Sequence, residues 1–164
     1  RQMCIRDRQN ILNYDYLWIR LRVKGGAYGC MSGFGRDGDC YMVSYLDPKL
    51  AETNEVYEQL PEYLEQFNQD ERSMDRYVIG AISEMDIPKN PAALGVRGLT
   101  AYLSGITREQ LQKERDEVID TDAKEIRALA PYAKAVLSNN CLCVVGNENK
   151  IKENSALFTT VRSL

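Results

Sequence analysis

Two adjacent glycines, Gly25 and Gly26, stand where one structural period ends and another begins. Before them, Leu12, Tyr16, Leu17, Ile19 and Val23 recur at near-helical spacing, which predicts an amphipathic helix over about Leu12–Val23. Glycine takes the positive φ needed just past a helix end, so the pair reads as the stop. After them, Ala27–Phe34 and Cys40–Leu46 favour strand. The Gly- and Asp-rich run Gly35-Arg36-Asp37-Gly38-Asp39 between those segments makes a hairpin turn. A chain constrained to helix, tight exit and antiparallel hairpin cannot be an all-helical bundle.

The rest is mainly helical. Asp47-Pro48 is expected to start a helix, with Asp47 as its N-cap and proline in the first turn. Leu50, Thr53, Tyr57, Leu60, Leu64 and Phe67 share one face, and Pro61 is expected to kink or divide the helix. Met74, Val78, Ala81, Ile82 and Met85 mark another helix, closed by Asp86-Ile87-Pro88, and a shorter one covers Leu94–Leu103. Thr107-Arg108-Glu109-Gln110 has the form of a capping box, and Asp122-Ala123-Lys124-Glu125 repeats the device ahead of Ile126, Leu129, Ala133 and Leu137. Cys141–Val145 reads as a short apolar strand, and an amphipathic stretch follows over about Lys150–Phe158. Helix, hairpin, helices, strand and helix make an α+β domain, with helices layered on a largely antiparallel sheet. Three strands are few for a complete sheet, so further strands are expected outside the chain, which reads as incomplete at its N-terminus.

Composition excludes several function classes. The 164 residues carry a net charge of −3, with Lys and Arg scattered among acids, so no nucleic-acid face is expected. No apolar run is long enough to cross a bilayer, and no membrane partner is expected. The five cysteines are read as reduced thiols of an intracellular protein, which places the chain in the cytoplasm. Cys141 and Cys143 alternate onto one strand face and are expected to be buried core thiols rather than metal ligands. There is no histidine, which excludes Ser-His-Asp and Cys-His catalysis and any His-ligated metal site within the chain. Arg1–Arg8 shows neither period nor turn logic and resembles translated sequencing adapter. Residues 1–11 are therefore expected to be an unstructured or non-native leader, and 12–164 one partial domain.

Arg22 to Gly29 allows more than one reading. In the first, the glycines end a helix, Tyr28 packs in the hairpin and Arg22 is a surface charge. A phosphate-cradling loop is a poor fit, because its glycines should precede a helix and these follow one. Asp37 and Asp39 are read as turn residues and Asp47 as a cap. Glu52, Glu55 and Glu58 are read as a solvated helix face, and Trp18 as core packing.

Arg22-x-x-Gly25-Gly26-Ala27-Tyr28-Gly29 resembles the arginine–tyrosine motif in the carboxy-terminal half of insulinase-type zinc metallopeptidases, the inverzincins. Tyr16-Leu17-Trp18-x-x-Leu21, Ser44-Tyr45-x-Asp47-Pro48, the Ile79-Gly80 to Asp86-x-Pro88 segment and Val144-Val145-Gly146-Asn147 resemble the presequence-protease branch in particular. The resemblance implies an insulinase/processing-peptidase-like fold in two halves. The amino-terminal half binds zinc through an inverted His-x-x-Glu-His helix, and this chain binds no metal. It implies a catalytic role for Tyr28 in stabilising the tetrahedral intermediate, and substrate binding through Arg22, Gly25, Gly26, Ala27 and Gly29. Short unfolded peptides are the implied substrates, the amino-terminal half is the implied partner, and the chain alone is expected to be inactive. A mitochondrial matrix or plastid location is the alternative to the cytoplasm. A non-catalytic insulinase-like scaffold or partner subunit is the alternative function, and a small-molecule-binding domain is a weaker third.

Overall fold

The computed structural model describes residues 11–35 and 38–162. Its first element is a helix over Ile11–Lys24 with π-type winding. The buried positions are Ile11, Leu12, Tyr16, Leu17 and Leu21, so inward residues recur five apart rather than three or four. That is the spacing of i→i+5 winding. It also corrects the expected face, because Ile19 and Val23 are exposed and Leu21 turns inward. Ile11 lies fully buried, one residue before the expected domain boundary. The remainder of the predicted leader, and Asp37 in the predicted turn, lie outside the described residues.

The helix ends as expected. Gly26 has φ of +87°, and Ala27 N–H donates to the Leu21 carbonyl at 2.9 Å. The hairpin follows as β1 (Gly29–Phe34) and β2 (Cys40–Tyr45), paired antiparallel with Gly29 opposite Tyr45 and Phe34 opposite Cys40. The outer edge of β1 is tied to the π-helix, where Asn13 Oδ1 accepts from Ser32 N–H at 2.6 Å and from Ser32 Oγ at 2.8 Å. Ser32 is buried, so this side chain satisfies a backbone donor that β2 cannot reach.

Helices complete the core. In chain order they are α1 (Leu50–Glu58), α2 (Leu60–Glu65), α3 (Glu71–Met85), α4 (Pro91–Leu103), α5 (Arg108–Ile119), α6 (Ala123–Arg127), α7 (Ala130–Leu137) and α8 (Glu148–Glu153). The expected break near Pro61 falls at Gln59, between α1 and α2. The segment expected as one helix to Leu137 divides in the same way into α6 and α7, with a proline in the first turn of α7. Thr107 and Gln110 form the predicted capping box, with both reciprocal bonds present. Asp47 is not the N-cap of α1. Lys49 holds that position, while Asp47 accepts from Lys49 N–H at 2.9 Å and from Thr53 Oγ1 at 2.7 Å, bracing the turn from two residues earlier.

The π-helix packs against β1 and α1, and α2 packs against α7. A run of rings holds this core: Tyr16 to Tyr63 at 4.5 Å, Tyr63 to Phe67 at 6.1 Å and Phe67 to Tyr77 at 6.3 Å between centroids. Tyr16 Oη donates to the Val56 carbonyl at 2.6 Å, so the buried phenol is satisfied. Burial pushes Tyr16, Tyr57 and Tyr63 up to about 12. In contrast, α4 buries no residue, although Leu94, Val96, Leu99, Tyr102 and Leu103 lie along it.

The architecture is α+β, as expected, but the predicted third strand is not paired. Residues 141–145 take no regular secondary structure and belong to no ladder among the described residues. Leu142 and Val144 turn inward, leaving Cys141 and Cys143 exposed rather than buried. With no neighbouring strand to cover the outer face, the expected core position of these thiols is not realised.

Candidate functional site

The end of the π-helix and the start of β1 bring Arg22 and Tyr28 together. The tight exit through Gly25 and Gly26 carries the chain back across the last helical turn. The guanidinium carbon of Arg22 then lies 5.7 Å from the centre of the Tyr28 ring. It also lies 4.1 Å from the centre of the Trp18 ring, one turn back along the helix. Trp18 is 37% exposed, which corrects its expected place in the core: it is a shelf beneath Arg22. Tyr28 is 61% exposed, and its ring meets Tyr45 edge-on at 5.7 Å. The result is a surface row of Trp18, Arg22, Tyr28 and Tyr45 across the helix end and hairpin.

These contacts orient Arg22 without consuming it. A cation–π contact at an exposed site contributes about 0.5–1 kcal/mol, and the five N–H donors of the guanidinium project from its edge rather than its face. Arg22 resting on Trp18 therefore keeps its fork for another acceptor. Its charge also reaches Cys30, whose thiol burial pushes up while Arg22 offsets part of the rise.

The other expected site residues divide by position. Gly26 is exposed at the turn. Gly25 is half-buried against the Leu21 carbonyl, where an added Cβ would meet the oxygen at 2.4 Å. Gly29 is buried beneath the Tyr45 ring, and a Cβ there would fall 2.4 Å from the Tyr45 hydroxyl. Ala27 is 3% exposed and points into the core, so its methyl cannot meet a ligand at the surface. Arg22 and Tyr28 carry the polar chemistry, while Gly25 and Gly29 let chain and ring approach closely. Trp18 and Tyr45 are the members that sequence reasoning missed. The spacing of Trp18 four residues before Arg22 was the available signal.

A metal site does not fit these residues. Among the described residues no three Cys, Asp or Glu side chains cluster so as to hold an ion, and the chain has no histidine. No helix among them is long and apolar enough to cross a membrane.

Comparison with known proteins assigns the family. Residues 8–147 match the family model described as the PreP C-terminal domain. The chain is 47% identical to Protein HypA of Clostridium perfringens over 95% of its own length and 16% of that protein. It is 30% identical to Presequence protease 1, chloroplastic/mitochondrial, of Arabidopsis thaliana, over 93% of its length and 15% of the relative. To the mitochondrial Presequence protease of Emericella nidulans it is 27% identical, over 88% and 14%. The chain thus spans less than a fifth of these relatives, and the motifs around the paired glycines lie within the matched region. By its sequence match, this chain belongs to the PreP C-terminal domain family.

Proposed function

We propose that this chain is the substrate-holding part of a metalloendopeptidase acting on short unfolded peptides, with Arg22 and Tyr28 as its working side chains. The observation that carries the reading is their placement together on an exposed surface, the Arg22 guanidinium carbon 5.7 Å from the centre of the Tyr28 ring. The Tyr28 O–H donates a hydrogen bond to the oxyanion that develops on the scissile carbonyl. One such donor contributes about 2.7–4 kcal/mol to transition-state stabilisation. Arg22 holds a peptide carbonyl or carboxylate through its planar fork. Gly25, Gly26 and Gly29 shape the approach rather than react.

The names of the relatives support a peptidase parent. Zinc is assigned to another part of that protein, because the residues here do not fit it, and no step is assigned to metal on this chain. The chain alone is therefore inactive in this reading. The names of the Arabidopsis thaliana and Emericella nidulans relatives, chloroplastic/mitochondrial and mitochondrial, support an organellar place, the alternative to the cytoplasm.

The test is a chimera in which this chain replaces the matching segment of Clostridium perfringens HypA. Peptide cleavage by the chimera, with KM raised on Arg22→Ala, supports the reading. Cleavage indifferent to Arg22→Ala and Tyr28→Phe together would place the chain as a scaffold instead.

A further inference from the structure

Strand side chains alternate along the hairpin. Cys30, Phe34 and Met42 pack against the core, while Met31, Tyr41, Val43 and Tyr45 are exposed on the other face. Across the ladder Gly29 stands opposite Tyr45, Met31 opposite Val43 and Gly33 opposite Tyr41. An added Cβ at either glycine would overlap the ring of its partner tyrosine. The two phenol rings therefore lie over bare backbone, and the outer face is a low floor of two rings with Met31 and Val43 between them. None of these residues carries a charge.

The floor is continuous with Arg22 and Tyr28, because the Tyr45 ring meets the Tyr28 ring edge-on at 5.7 Å. Beyond Tyr45, positions 43 and 41 follow at intervals of about 7 Å along β2, the distance spanned by two strand residues. An extended peptide repeats at the same interval, so alternate side chains on one of its faces fall on successive seats. The tyrosines also suit an occupant that comes and goes. A phenol keeps its O–H in water while its ring takes apolar contact, whereas permanent burial demands a partner for each hydroxyl.

We propose that this floor selects which peptides the Arg22–Tyr28 site takes, an inference that rests on the function proposed above. The favoured substrates carry apolar or aromatic side chains at every second residue on one side of the scissile bond. The nearest of these sits on Tyr45, the next over Met31 and Val43, and the third on Tyr41. The same side chains moved one residue along the peptide turn away from the floor and gain nothing from it.

The HypA chimera tests this with short peptides of one length, in which Tyr, Leu and Ser are permuted on each side of the scissile bond. The expected result is a KM several-fold to about tenfold lower for peptides with ring or leucine side chains in the alternate register than for the one-residue-shifted set. Tyr41→Thr should remove the advantage of the third such residue and leave that of the first. Equal KM across the registers would overturn the proposal. So would an equal penalty from Tyr41→Thr on every peptide, with a lowered Tm, which would mean that the floor packs against the rest of the parent protein. If Tyr41→Thr does not fold, the peptide set on the unsubstituted chimera decides by itself. Tyr28→Phe in the same assay separates the two readings. A fall in kcat without register preference defeats the floor alone, and register preference with kcat indifferent to Tyr28→Phe defeats the role of Tyr28 and leaves the floor as a peptide-binding surface.

Discussion

The guanidinium carbon of Arg22 lies 5.7 Å from the ring centre of Tyr28, and the same guanidinium rests 4.1 Å from the ring centre of Trp18. Arg22 is thus held between two rings, one on its own helix and one at the start of β1. If the Trp18 shelf positions the fork for substrate, Trp18→Leu should raise KM for peptides several-fold in the assembled enzyme and leave kcat nearly unchanged. The expected size follows from a contact of about 0.5–1 kcal/mol. Steady-state kinetics beside a thermal melt checks this, since a partly exposed ring should cost little stability. A parallel collapse of kcat and Tm would contradict a positioning role.

Asn13 supports the hairpin from outside its ladder. Asn13→Ala removes both bonds that Asn13 Oδ1 accepts from Ser32, each worth about 0.5–1.5 kcal/mol. Urea denaturation should show a lower midpoint with an unchanged slope. A loss below about 0.5 kcal/mol would mean that the edge is not closed by this side chain.

The core phenols set an alkaline limit. Tyr16 titrates near 12 in the fold because burial disfavours its anion, against an ordinary value of 10.0. A raised folded value means the native state keeps a proton that the unfolded chain has lost. Stability from this group is therefore full below about pH 10 and falls as pH rises toward 12. Tyr57 and Tyr63 act in the same direction and the same window. Unfolding free energy followed from pH 8 to 12 should decline across the upper half of that range. Tyr16→Phe should decline less steeply from a lower start, having lost the bond to the Val56 carbonyl.

Much of the fold was readable because local devices agree with the tertiary arrangement. The Thr107 box, the Asp122 cap and the glycine exit each satisfy backbone donors or φ demands within a few residues, so neighbours in sequence suffice to place them. The misses share a different cause. Ile19 and Val23 were placed inward on an α-helical period, and the π-type winding turns them out. Asp47 was read as a cap from its proline neighbour, yet it braces Thr53 across the turn instead. Cys141–Val145 has the composition of a strand, but a strand needs a ladder partner, and no local signal says whether one is at hand. For the site, the motif marked Arg22 and Tyr28. Trp18, read as core packing, lies partly exposed beneath Arg22, while Ala27, beyond the helix end, is buried.

The most direct test of the account is Tyr28→Phe in the HypA chimera, with kcat and KM measured separately on a short peptide. Removing only the hydroxyl leaves the ring contacts to Arg22 and Tyr45 in place. The account predicts a fall in kcat of about 10²–10³ with KM changed little, the signature of an interaction made in the transition state. An unchanged kcat in a variant that folds and binds peptide normally would contradict it.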